Sequence, residues 1–256
     1  MRLVARLLWV LALLPFGGCA EVTEPQGEPV KITVEEWPGF PRGIPGVELC
    51  ETGKEANCET TDADGKATLW LPANEETGFT AEKQGFGSRL VPVVIPTGGE
   101  SFSLFMLSAA TVESLHEDAY PLEDVGGINC WVRGLAGVTF DLFDGEGPVS
   151  AKQYYREPGP PQTYNDELTE TTNEGVGGFL EISPGEYEVQ VGGTAGDCAL
   201  EMGWPPALFS ERTVRFPVQA GYETRIILSC SEGTGGGGGS AGAGGGGGEA
   251  GTNGAP

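Results

Sequence analysis

Thr61-Asp62-Ala63-Asp64-Gly65-Lys66-Ala67-Thr68-Leu69-Trp70-Leu71-Pro72 reads as a turn that runs into a strand. Asp side chains bond their own backbone and Gly65 accepts a positive φ, so the first half closes a turn. The second half has period two and stops at a proline, the mark of a half-buried strand. The same order returns at Thr172-Asn173-Glu174-Gly175-Val176-Gly177-Gly178-Phe179-Leu180-Glu181-Ile182-Ser183-Pro184. Before each copy stands Gly-Val-x-apolar, at Gly46-Val47-Glu48-Leu49 and Gly137-Val138-Thr139-Phe140. After each comes an aromatic-bearing strand, Gly78–Lys83 and Gly185–Val191. Repetition in one order means two β units in tandem.

Elsewhere between residues 30 and 230 the pattern is also that of strands. Val30–Val34, Phe102–Leu107, Val214–Val218 and Arg225–Leu228 alternate and are separated by Gly, Pro, Asn and Asp clusters. Val214–Val218 and Arg225–Leu228 are expected to form a hairpin around Ala220-Gly221. Only Ala109–Glu117, behind the N-cap candidate Ser108, reads as helix. The boundaries that follow are a first sandwich over 30–107, a connector over 108–124 and a second sandwich over 125–230. Residues 231–256 are nearly all Gly, Ala, Ser and Glu. They lack the apolar area needed to offset ordering entropy, so a disordered tail is expected.

The repeated T-[DN] turn and the P-G-x-Y entry into a later strand resemble the carboxypeptidase regulatory-like domains. Those are transthyretin-like, seven-stranded sandwiches, and Cna-B-like and fibronectin-like sandwiches look similar. The resemblance spans about 45–107 and 128–230 of this sequence. It implies an all-β chain of two tandem transthyretin-like or Ig-like sandwiches joined by a short helical connector. It implies no activity.

MRLVARLLWVLALLPFGGC, the first 19 residues, places Arg2 and Arg6 before an apolar run. The run of about 12 residues is too short to span a bilayer and has the layout of an export signal. Phe16-Gly17-Gly18-Cys19 resembles the lipobox of bacterial lipoproteins. That resemblance implies a signal peptide over 1–18 and a mature chain starting at Cys19, tethered through 19–29. It implies membrane attachment by diacylglycerol and amide-linked acyl (palmitate) chains, more than one anchor and so stable. Ala20, not Asp, follows the cysteine, which by the same resemblance points to the outer membrane, on its periplasmic or cell-surface face.

Five more cysteines, Cys50, Cys58, Cys130, Cys198 and Cys230, would reach an oxidising compartment. Cys50 and Cys58 flank a short polar segment that a hairpin would close, so a Cys50–Cys58 disulfide is expected. In the second unit Cys198–Cys230 is favoured over Cys130–Cys230.

The balance of 37 acidic to 14 basic residues gives a net charge of −23, which repels phosphate backbones, so nucleic acid is not an expected partner. With His116 as the only histidine and no C-x-x-C, neither a catalytic triad, a metal nor a cofactor is expected. Asp62-Ala63-Asp64-Gly65 lacks the further ligands of a calcium loop. The stretch 148–168 carries Tyr154, Tyr155, Arg156 and Tyr164 among prolines and is the candidate binding surface, a long loop on a rigid scaffold. The expectation is a non-enzymatic cell-envelope lipoprotein, a structural or adhesive module for an envelope protein or glycan. The alternative is a carbohydrate- or peptide-binding accessory subunit of an envelope enzyme or transport complex.

Overall fold

The computed structural model describes residues 27–37, 42–54, 56–116, 122–159, 163–206 and 212–233. The expected signal peptide, Cys19, the tether up to residue 26 and the tail from residue 234 lie outside these. The described residues are mostly strand, with one short helix.

The first unit packs two sheets. Strands β4 (Lys66–Leu71), β1 (Glu28–Trp37) and β7 (Glu100–Leu107) form one. Strands β3 (Cys58–Thr60), β2 (Glu48–Glu51), β5 (Glu76–Glu82) and β6 (Arg89–Val94) form the other. Between them lie Val30, Ile32, Leu49, Leu69, Phe79 and Leu104, supplied by the inward positions of alternating strands. Helix α1 (Ala109–His116) follows, with the Thr111 amide donating to Ser108 Oγ at 3.2 Å as an N-cap.

The second unit repeats the plan. Strand β8 (Gly126–Val132) pairs antiparallel with β12 (Val176–Ile182) and parallel with β16 (Glu223–Glu232). In the first unit β1 pairs antiparallel with β4 and parallel with β7 in the same way. The facing sheet is β9 (Phe140–Phe143), β13 (Gly185–Val191) and β15 (Thr213–Val218). β16 reaches Glu232, so Ser231 and Glu232 belong to a strand and not to the tail.

The repeated turn is built the same way twice. Thr61 Oγ1 accepts from the Val47 amide at 2.9 Å and donates to the Ile44 carbonyl at 2.7 Å. Thr171 Oγ1 accepts from the Val138 amide at 3.0 Å and donates to the Leu135 carbonyl at 2.9 Å. Gly65 and Gly175 then each offer a carbonyl, to the amides of Val34 and Val132, both at 2.8 Å. Both glycines have positive φ, 76° and 69°, and a Cβ at either would strike the carbonyl of Val34 or Val132. The true repeat of Thr61 is therefore Thr171, one residue before the Thr172 of the sequence match, and the Thr-Thr doublet hides this. Asp62 Oδ1 accepts from the amides of Lys66 and Asp64, both at 2.9 Å, and those two bonds lower its pKa. Thr61→Val and Thr171→Val should each lower stability by about 2–3 kcal/mol in chemical denaturation, because a buried amide loses its acceptor. The Ser variants, which keep the hydroxyl, should lose clearly less.

One expected hairpin is absent. A tight turn at Gly221 (φ 85°) does join β15 to β16, but β15 pairs with β13 and β16 with β8. The two strands enter opposite sheets, because each follows its own buried face and not its sequence neighbour.

The units are fused. Glu223 and Thr224, at the start of β16, pair parallel with Arg89 and Leu90 of β6. Farther along, β16 pairs antiparallel with β14 (Ala195–Met202). Strands of both units thus form one 10-stranded sheet, with β10 (Lys152–Arg156) and β11 (Tyr164–Asn165) at one end and β2–β3 at the other. Met202 and Ile227 of the second unit complete the core of the first. The Gly203 amide donates to the Pro92 carbonyl at 2.8 Å and Trp204 Nε1 to the Thr77 carbonyl at 2.7 Å. Arg215 pairs with Glu76 across the same seam.

Candidate functional site

Cys50 is bonded to Cys58 where β2 and β3 place them opposite each other. Cys198 is bonded to Cys230, which face each other across β14 and β16. The second pairing comes from that ladder and not from the expected hairpin. Cys130 is free and fully buried in the second core, and burial pushes its thiol pKa far up. It is a packing residue, not a nucleophile. The only cluster of metal-type ligands among the described residues is Glu48, Cys50 and Cys58, and its two sulfurs are consumed by the disulfide.

The stretch read as a recognition loop contains two strands, β10 and β11. Tyr154 and Tyr155 are 2% and 1% exposed and cannot contribute a binding surface. Adjacent residues of a strand face opposite ways. Tyr155 enters the second core, stacked on Phe140, and its hydroxyl accepts from the Phe140 amide at 3.2 Å and Gln153 Nε2 at 2.8 Å. Tyr154 faces the opposite side, where its hydroxyl donates to the Ile128 carbonyl at 3.1 Å and Tyr164 covers its ring at 4.2 Å. Desolvation raises the pKa of all three tyrosines, that of Tyr155 and Tyr164 to about 12. Residues 160–162 of this stretch lie outside the described residues.

Arg156 and Tyr164 do reach a concave surface, a groove of about 560 Å³ where the two units meet. One wall is the outward face of β8, β12 and β16, and the other is α1 with the outward side of β7 and the end of β1. Period two sets both walls. Phe102, Leu104 and Met106 fill the first core, which turns Phe105 outward. Ile128, Cys130 and Val132 fill the second, which turns Asn129 and Trp131 outward.

Across the groove run alternating guanidinium groups and rings. Arg133 lies over Trp131 at 4.7 Å, and Arg225 lies over Trp131 at 5.3 Å and Phe105 at 6.0 Å. Phe105 meets Trp37 edge-on at 6.0 Å, and Arg156 lies over Trp37 at 5.7 Å. Trp131 Nε1 donates to the Glu174 carbonyl at 3.2 Å and is fixed in place. Arg89 sits at the floor, its side chain 3% exposed, paired with Glu223 at the β6–β16 junction.

Charge here is not balanced pair by pair. Arg133 is held by Glu201, with Nε–Oε2 at 2.9 Å. Neither Arg156 nor Arg225 forms a salt bridge with a described residue, and Arg156 Nε is buried without a hydrogen-bond partner. Burial lowers the pKa of both. That of Arg225 falls to about 10, with the nearby Arg89 charge adding to the effect. Both stay cationic at neutral pH.

No protein-family model matches the chain, and no curated sequence is similar to it. Among solved structures it is similar to a chain of a type II cohesin–X-dockerin complex from Acetivibrio cellulolyticus, with a TM-score of 0.28, 15% identity and coverage of 32% of this chain and 58% of that one. It is similar to the TIE protein of Bacillus anthracis, with a TM-score of 0.27, 15% identity and coverage of 80% and 34%. It is also similar to GBS52, the minor pilin of Streptococcus agalactiae, with a TM-score of 0.27, 13% identity and coverage of 80% and 96%. The chain thus spans 58% and 34% of the length of the first two. At these scores the β-sandwich assignment rests on the strand pairings above.

Proposed function

We propose that this protein is a non-catalytic, lipid-anchored envelope protein whose fused sandwiches form a rigid binding module. The observation that carries the reading is the groove, which exists only because both units contribute a wall. Independent beads on a string would not hold such a surface in register. The repeated turn supports an assignment to carboxypeptidase regulatory-like sandwiches. The basic start, apolar run and Gly-Gly-Cys19 support acylation and an outer-membrane address. Partners are an envelope protein or a glycan, and the aromatic lining favours the accessory-subunit version, which binds a peptide or sugar for a neighbouring enzyme or transporter.

Cys19→Ser should free the protein from membranes or stall it as an uncleaved precursor, read by fractionation and N-terminal mass. Processed, membrane-bound Cys19→Ser protein would overturn the anchor. Crosslinked pull-down from envelopes should capture a partner with the wild type and lose it with Trp131→Ala. Capture unaffected by Trp131→Ala would move the binding role away from the groove.

A further inference from the structure

We infer that the groove between the two units binds a monocarboxylate attached to an apolar or aromatic body. This rests on the binding role above and names its ligand class.

In a chain with 14 basic and 37 acidic residues, three arginines line one groove, Arg89, Arg156 and Arg225. The carboxylates that face them among the described residues are Glu174, which lines the groove, and Glu223, which pairs with Arg89. Three guanidinium groups against two carboxylates leave one positive charge, which a single carboxylate would neutralise.

Hydrogen bonding gives the same answer. Arg156 Nε, on the groove wall, is buried with no hydrogen-bond partner, and at the floor Arg89 Nε and Glu223 Oε1 are both buried without one. A guanidinium is a fork of five donors matched to a carboxylate, and a buried donor left unmet is costly. Arg225 and Arg156 lie over aromatic rings, which hold them beside the groove without accepting conventional hydrogen bonds from their N–H groups.

Size and lining set the rest. A volume of about 560 Å³ is in the range that holds a small organic molecule and far exceeds a bare anion. Phe105, Trp131 and Leu115 offer ring and aliphatic surface to the ligand's body. The net charge of −23 repels anions at a distance, so contacts must supply the affinity.

The test uses the processed, disulfide-intact protein and phenylacetate as the probe, followed by calorimetry and by the indole N–H resonances of Trp37 and Trp131. Phenylacetamide is the uncharged control and inorganic phosphate the control without an apolar body. N-acetyl-Ala-Phe, compared with its amide, distinguishes a peptide chain end from a small acid. Phenylacetate should bind saturably, at least about tenfold tighter than the amide or phosphate, and shift both indole signals. Arg225→Gln and Arg156→Gln should each weaken it about tenfold. Equal binding of acid and amide, unmoved indole signals, or phosphate binding as tightly as phenylacetate would overturn the inference. The wild-type measurements decide this even if a variant fails to fold. If phenylacetate fails while Trp131-dependent capture persists, the binding role stands and this ligand class falls.

Discussion

Glu223→Ala should cost about 3–5 kcal/mol of stability, the expected effect of stripping the partner from a buried guanidinium. Arg89 and Glu223 sit opposite each other at the β6–β16 junction, with side chains 3% and 5% exposed. Removing the carboxylate leaves Arg89 charged and dry, with Nε already lacking a partner. For a folded part of this size the melting temperature should drop by roughly 10 °C. The double change Arg89→Met with Glu223→Leu should recover most of the loss, because buried ion pairs are often no better than apolar pairs of similar volume. Calorimetry gives both numbers. A loss under about 1 kcal/mol for Glu223→Ala would mean that water reaches the pair.

The same junction governs cooperativity. Met202 and Ile227 leave the second unit to complete the first core, and β16 pairs with strands of both units. The first core is not whole without the second unit. A single unfolding transition is therefore expected in the wild type, and Glu223→Ala should lower it rather than split it.

What the sequence revealed was local. Turn chemistry at Asp62 and Gly65 and period two in β4 and β12 are written in neighbouring residues, so the all-β character and the repeated turn were legible. The Cys50–Cys58 pairing was legible for the same reason. The junction was not, because it rests on a two-residue pairing of strands far apart in the chain. The hairpin failed because Gly221 satisfies the turn whether the next strand stays in the sheet or crosses to the facing one. Tyr154 and Tyr155 were read as surface because a strand covered on both faces shows no alternation, and the prolines that follow look like loop. The groove had no local signature at all. Trp37, Arg89, Trp131, Arg156 and Arg225 come from five different strands, and only the period-two turning of β7 and β8 hinted that Phe105 and Trp131 face away from the cores.

Replacing Cys198 and Cys230 together by Ala should cost about 3–4 kcal/mol. The bridge spans 32 residues, and a closed loop of that size constrains the unfolded chain by roughly that amount in the entropy model. The Cys50–Cys58 bridge spans 8 residues, so the same model gives it only about 2.5 kcal/mol. Position sharpens the contrast. Among the described residues β14 pairs with no strand but β16, and its register is irregular on both sides of the bridge. Its ladder alone holds it weakly. β2, by contrast, pairs with both β3 and β5 and stays in place without a covalent tie. Cys130→Ala removes a buried sulfur but no crosslink, so it should cost about 1 kcal/mol, the scale of a small cavity. Melting temperatures of the three variants should fall in that order, the Cys198/Cys230 variant lowest. A Cys130→Ala loss larger than that of the double variant would show that packing around β8, and not the staple on β14, limits the stability of the second unit.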